Sequence, residues 1–220
     1  MFFGYKFCFF GAVMNYFMLN KPKGYITADS DRCRPVVMDL ISSDDNREGT
    51  HPVGRLDIDT VGLLLITDDG KLSHKLMSPQ SGITKTYRFF AFGVPHPDAA
   101  AILSSGSVST KGHCFLPAVL NITGQGRVED YVDCYSERKR RQYMKNSNGA
   151  VTEGTVTVTE GRKHEVKLLM KAVGCTVFFL ERIAIGDLAL DDSLKRGEYR
   201  RLTDREVSIL INNALSEKSN

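Results

Sequence analysis

Residues 51–79 read HPVGRLDIDTVGLLLITDDGKLSHKLMSP, and this stretch decides what kind of fold the chain can adopt. Val61 to Thr67 is a nearly continuous apolar run of strand length, sealed by Asp68-Asp69-Gly70. A run without alternation predicts a strand buried on both faces. Lys71 to Met77 carries Leu72 and Leu76 one helical turn apart and stops ahead of Pro79, so a turn into a short helix follows. Upstream, Gly54-Arg55-Leu56-Asp57 sets a carboxylate beside a guanidinium just before the buried strand. A carboxylate fixed at such an edge is held ionised and aimed, which suits a nucleophile or a base. The same residues also fit a turn in which Asp57 caps backbone amides while Arg55 neutralises it, and local chemistry leaves both readings open.

The flanking segments alternate between strand and helix patterns. Tyr16 to Ile26 (YFMLNKPKGYI) predicts a strand entering a Lys-Pro-Lys-Gly corner, from whose tight turn Lys21 and Lys23 point. Pro35 to Ile41 places Val37, Leu40 and Ile41 on one helical face, and Asp98 to Leu103 also reads as helix. Ile83 to Val94, Ala118 to Ile122 and Thr155 to Thr159 read as strands of an antiparallel arrangement. Lys163 to Val173 predicts the clearest helix, with Val166, Leu169, Met170 and Val173 on one side and Gly174 as its cap. Lys163, Lys167 and Lys171 make a separate stripe, and such stripes are commonly just solvated. Thr203 and Glu206 form a capping box ahead of Val207, Leu210, Ile211 and Ala214.

With 220 residues, 42% hydrophobic and 25% charged, the chain has the composition of a globular protein, not of a collagen, a disordered tail or a multi-span membrane protein. The formal charge of +3 is too small for a strong field toward polyanions unless the cations are gathered. They are gathered in Glu137 to Lys145, where five cations face one anion. Five scattered cysteines without a C-x-x-C pair point to a reducing cytoplasm, and the histidines lack metal-ligand spacing, so no metal site is expected. Residues 1–15 read as an N-terminal extension rather than a signal or an anchor, because the apolar run Phe7 to Met14 is short. The extension is a hydrophobic arm, or Met14 is the working start.

Four motifs in order resemble the pseudouridine synthases that modify ribosomal RNA: Asn20 to Gly24 (NKPKG), Gly54 to Leu64 (GRLDIDTVGLL), Lys85-Thr86-Tyr87, and Glu160 to Lys167 (EGRKHEVK). Gly186-Asp187 and Gly197 to Thr203 continue the likeness, which is nearest to the group acting on 16S rRNA and spans about Tyr16 to Leu210. The resemblance implies an α+β pseudouridine synthase fold of two sub-domains, each a mixed, mainly antiparallel sheet with helices on one side, flanking a central cleft. It also implies a cofactor-free isomerisation in which uracil is detached from ribose C1′, turned, and rejoined through C5. Asp57 would be the essential carboxylate, whether it attacks the sugar or takes a proton from it. Tyr87 would stack on the captured uracil, Arg55 would stand at the gap left by the extruded nucleotide, and Lys167 would pair with Asp57. Lys21, Lys23, Lys85, Arg162 and Lys163 would bind substrate. Tyr87 also fits a core position, since Tyr87, Phe89 and Ala91 alternate along one strand face.

Departures from the family pattern qualify what carries over. An N-terminal S4-type RNA-binding domain has no counterpart before Tyr16, and Leu168 stands where relatives carry a second cation. Residues 127–150 read as a basic insertion, either a solvated loop or a replacement RNA contact through Arg138, Lys139, Arg140 and Arg141. The catalytic domain is then 16–214, with a short tail at 215–220, working as a cytoplasmic monomer on ribosomal RNA or an assembling subunit, without membrane or metal. A 23S rRNA target is the alternative. A non-catalytic RNA-binding assembly protein would be expected to have lost the carboxylate, which Asp57 retains. A metal nuclease would need Asp57, Asp59, Asp68 and Asp69 to converge, whereas Asp68-Asp69-Gly70 reads better as a turn.

Overall fold

In the computed structural model, which describes residues 8–9, 12–110, 113–134 and 149–215, the apolar run of the opening stretch is the strand on which everything else is laid. Seven main strands, β1 (Tyr16–Lys21), β2 (Val61–Thr67), β3 (Lys85–Phe92), β4 (Val119–Arg127), β5 (Ala150–Val158), β6 (Thr176–Ile185) and β7 (Tyr199–Arg201), lie in the order β7-β1-β2-β6-β3-β5-β4. The short strands His51–Pro52, on β2, and Leu188–Ala189, on β6, complete a nine-stranded sheet. The α-helices among the described residues are α1 (Gly70–Met77), α2 (Ala99–Ser104), α3 (Glu165–Ala172) and α4 (Asp204–Leu215). The chain is α+β, as expected.

All seven residues of β2 are buried. Because strand side chains alternate between faces, β2 serves two cores. Leu64 and Ile66, with Phe17 and Leu19 of β1, face a core closed by Leu103 of α2 and by Val166, Leu169 and Met170 of α3. Leu63 and Leu65, with Met18, face the opposite core, closed by Leu72 and Leu76 of α1 and Leu210 of α4. Helices therefore cover both faces of the sheet, not one side as the sequence suggested. The reason is the β2 run itself, whose leucines need a partner layer above and below.

The two halves are joined in a single sheet. Every neighbouring pair is antiparallel except β2 and β6, which run parallel with Glu181 opposite Val61 and Arg182 opposite Gly62. This join depends on β6, a strand that the sequence reading left unassigned. Asn15 is buried and already within the fold, donating twice to Asp68 and accepting one hydrogen bond from Thr67. Pro35 to Ile41 yields only a 3-10 turn at Val37–Leu40. The predicted capping box forms, with the Thr203 amide donating to Glu206 and the Glu206 amide to Thr203 Oγ1. Of the insertion, Arg127 ends β4 and Val128–Cys134 coils into a 3-10 segment, while the cation-rich Glu137 to Lys145 lies outside the described residues.

Candidate active site

The loop Gly54 to Thr60 enters β2, and its backbone is tied to the corner that follows β1. Lys21 closes β1 with a fully buried side chain whose ammonium donates to the carbonyls of Pro22 (3.1 Å), Asp57 (3.2 Å) and Thr60 (2.9 Å). Burial pulls its pKa down to about 8, partly opposed by Asp59 and Asp57. The Gly24 amide donates to Ile58 O at 2.8 Å, and the Thr27 hydroxyl both donates to Leu56 O and accepts from the Leu56 amide. Lys21 is thus a peg under the Gly54–Thr60 loop and not a surface contact; its methylene chain and charge are enclosed. Lys23, one residue past the proline, is exposed.

With the loop backbone held by these bonds, the Asp57 carboxylate is left for another partner. Lys167 reaches it from α3, 110 residues later in the chain, donating to Oδ2 at 3.2 Å and to Asp59 Oδ1 at 2.6 Å. His164 Nε2 stands 3.5 Å from the other oxygen, Oδ1. Asp57 is 28% exposed and Lys167 25%, so the group is half sunk in the surface. The bland reading of the lysine stripe holds for Lys163 and Lys171, which are exposed, but not for Lys167. Arg55 is exposed and has no ion-pair partner among the described residues, so it does not neutralise Asp57.

The sheet supplies the floor. Tyr87 on β3 is 9% exposed and belongs to the buried cluster that includes Leu56 and Val166, the residues preceding Asp57 and Lys167. It shares its strand face with the buried Phe89 and Ala91. The core reading of this tyrosine is therefore true of its ring packing. Lys85, two residues earlier, is only 2% exposed, with its ammonium directed to Thr159 O at 3.4 Å. Burial and then the neighbouring Arg182 push it down to about 8. Lys85 is consequently structural and not a surface ligand for substrate. Arg162 is committed through Nε to buried Glu160 at 2.7 Å, leaving about half its side chain in solvent, and Lys163 is exposed. Leu168, within α3, packs half-buried against the core.

The remaining carboxylates are spent elsewhere. Asp69 caps α1 by accepting from the Leu72 amide, and Asp68 accepts twice from Asn15, so neither joins Asp57 and Asp59. Two groups beside Asp57 were not expected in this place: Asp59, weighed only as a metal ligand, and His164, which lies inside the EGRKHEVK motif three residues before Lys167.

The family described as RNA pseudouridylate synthase matches residues 15–172. The chain belongs to that family. This pseudouridine synthase is 34% identical over 195 residues to an uncharacterized RNA pseudouridine synthase of Bacillus subtilis, covering 89% of this chain and 72% of the relative. It is 35% identical to the ribosomal small subunit pseudouridine synthase A of Vibrio parahaemolyticus, covering 90% and 74%. A crystal structure of a pseudouridylate synthase superposes with a TM-score of 0.71 at 33% identity, covering 90% of this chain and 74% of the other. The synthase is an isomerase acting on RNA, and the fold and the motif order lead to the same family.

Proposed function

We propose that this synthase converts one uridine of 16S ribosomal RNA to pseudouridine, with Asp57 as the catalytic carboxylate. The observation that carries the site assignment is the Asp57–Lys167 ion pair at 3.2 Å, formed at the mouth of a loop whose backbone needs nothing further from that side chain. Relatives named as small subunit synthase A, at 34–36% identity, support the choice of RNA.

A uridine paired inside RNA cannot meet a carboxylate on a protein surface, so the nucleotide is extruded. Arg55, exposed at the start of the loop, occupies the space it leaves, and Tyr87 offers an aromatic surface to the uracil. Asp57, paired with Lys167, meets the ribose. The bond from N1 to C1′ breaks, the base turns, and C5 bonds to C1′; the proton on C5 departs and N1 gains one. The product is an isomer of the uridine, so the reading assigns no cofactor and no metal. Lys23, Lys163 and the solvent-facing part of Arg162 meet phosphates, and the enzyme works as a monomer in the cytoplasm.

The test is carbodiimide mapping of pseudouridine in ribosomal RNA from cells with and without the gene. Loss of a single 16S position is expected; loss in 23S RNA would move the target, and loss nowhere would remove the catalytic reading. At the residue level, Asp57→Asn is expected to lower tritium release from uracil C5 by about 1000-fold or more.

A further inference from the structure

The contact between His164 and Asp57 has a feature that Lys167 does not share. His164 lies immediately before α3 with φ of 58°, the left-handed region, and every other described residue with positive φ is a glycine. An L side chain is disfavoured there by its own Cβ, and single residues held so are characteristic of functional sites. The position starts the helix through its carbonyl, which accepts from the Leu168 amide, while its side chain gives no capping hydrogen bond. Glycine would serve the backbone better. What the histidine adds is an imidazole whose Nε2 is 3.5 Å from Asp57 Oδ1.

Lys167 alone does not fix the orientation of that carboxylate. Its ammonium is divided between Asp57 Oδ2 and the nearer Asp59 Oδ1, and an ammonium is a rotatable point charge. A planar ring at Oδ1 supplies the second point. His164 immediately precedes α3 and Lys167 lies in its first turn, so the start of one helix addresses both oxygens of Asp57. We propose that His164 is a positioning residue that fixes the plane of the Asp57 carboxylate toward the ribose. This rests on Asp57 being the catalytic carboxylate.

The substitution that separates imidazole from backbone is His164→Gly, because it removes the ring while relieving the left-handed strain. Tritium release is measured on C5-tritiated ribosomal RNA and ribosomal subunits from cells lacking the gene, for wild type, His164→Gly, His164→Gln and Asp57→Asn. His164→Gly is expected to unfold at no lower temperature than wild type, with kcat lower by about 10- to 100-fold and KM within about twofold. His164→Gln, which returns an N–H donor, is expected to recover most of kcat. In a second arm, the ring resonances of His164 in the NMR spectrum should move on Asp57→Asn, which tests the contact without turnover. Wild-type kcat in His164→Gly, equal loss in the Gly and Gln variants, or unmoved ring resonances would each overturn the role of His164 while leaving an inactive Asp57→Asn to uphold the carboxylate. An active Asp57→Asn would overturn both.

Discussion

At the residue scale, the two lysines of the NKPKG corner divide into opposite roles. Lys21 is enclosed by three carbonyls, and Lys23, two positions on, is exposed. A buried carbonyl deprived of its donor costs about 1–3 kcal/mol. Lys21→Met should therefore lower stability by about 3 kcal/mol or more in urea unfolding and reduce kcat, because the Asp57–Thr60 turn loses its peg. Its salt slope for RNA binding should match wild type. Lys23→Ala should behave conversely, with stability unchanged and the slope of log K against log salt smaller by about one phosphate contact. The local sequence predicted two outward lysines; two of the three carbonyls that enclose Lys21 arrive from residues 36 and 39 positions away, and no local pattern announces them.

At the element scale, the fold turns on the parallel join of β2 to β6. Gly62, with φ of 98°, sits opposite Arg182, and a Cβ there would stand 2.3 Å from the Arg182 carbonyl oxygen. Gly62→Ala meets both a disfavoured φ and a backbone atom that cannot move without breaking the pairing. A loss of about 2–4 kcal/mol is expected in urea unfolding. Reading β6 from TVFFLERIAI was defeated by Glu181 and Arg182 in its middle, which break an apolar run. In the fold both are buried: Glu181 pairs with Arg88 and Arg196, and Arg182 donates to Leu63 O at 2.8 Å. Polar side chains inside a central strand are tolerated where other segments supply partners, as three do for the Glu181 carboxylate and Arg182 Nε.

At the scale of the whole molecule, the helix that carries His164 and Lys167 rests on a buried charge. Glu165 is 4% exposed and is pushed up to about 7 chiefly by burial, against a hydrogen bond from the Arg162 amide and the pull of Arg162 and Lys85. A carboxyl whose folded value lies above its ordinary 4.5 binds its proton more tightly in the fold, so its contribution to stability is present at low pH and is lost as pH rises through about 7. Glu165→Gln removes that dependence. Compared by urea unfolding at about pH 5 and about pH 8, the variant should gain on wild type by up to about 3 kcal/mol at the higher pH.

The sequence by itself determined the doubly buried strand, the short helix that follows it, the capping box, and, through motif order, the family. These follow from periodicity and spacing, which are local, and from a linear pattern that needs no geometry. Only the tertiary structure decided that Lys21 and Lys85 face inward, that the two halves share one sheet, and that His164 and Asp59 complete the group around Asp57. The pairings of Lys85, Asp59 and His164 join groups more than seventy residues apart and those of Lys21 reach groups 36 and 39 apart, and desolvation and pairing at such meetings are set by the packed fold alone.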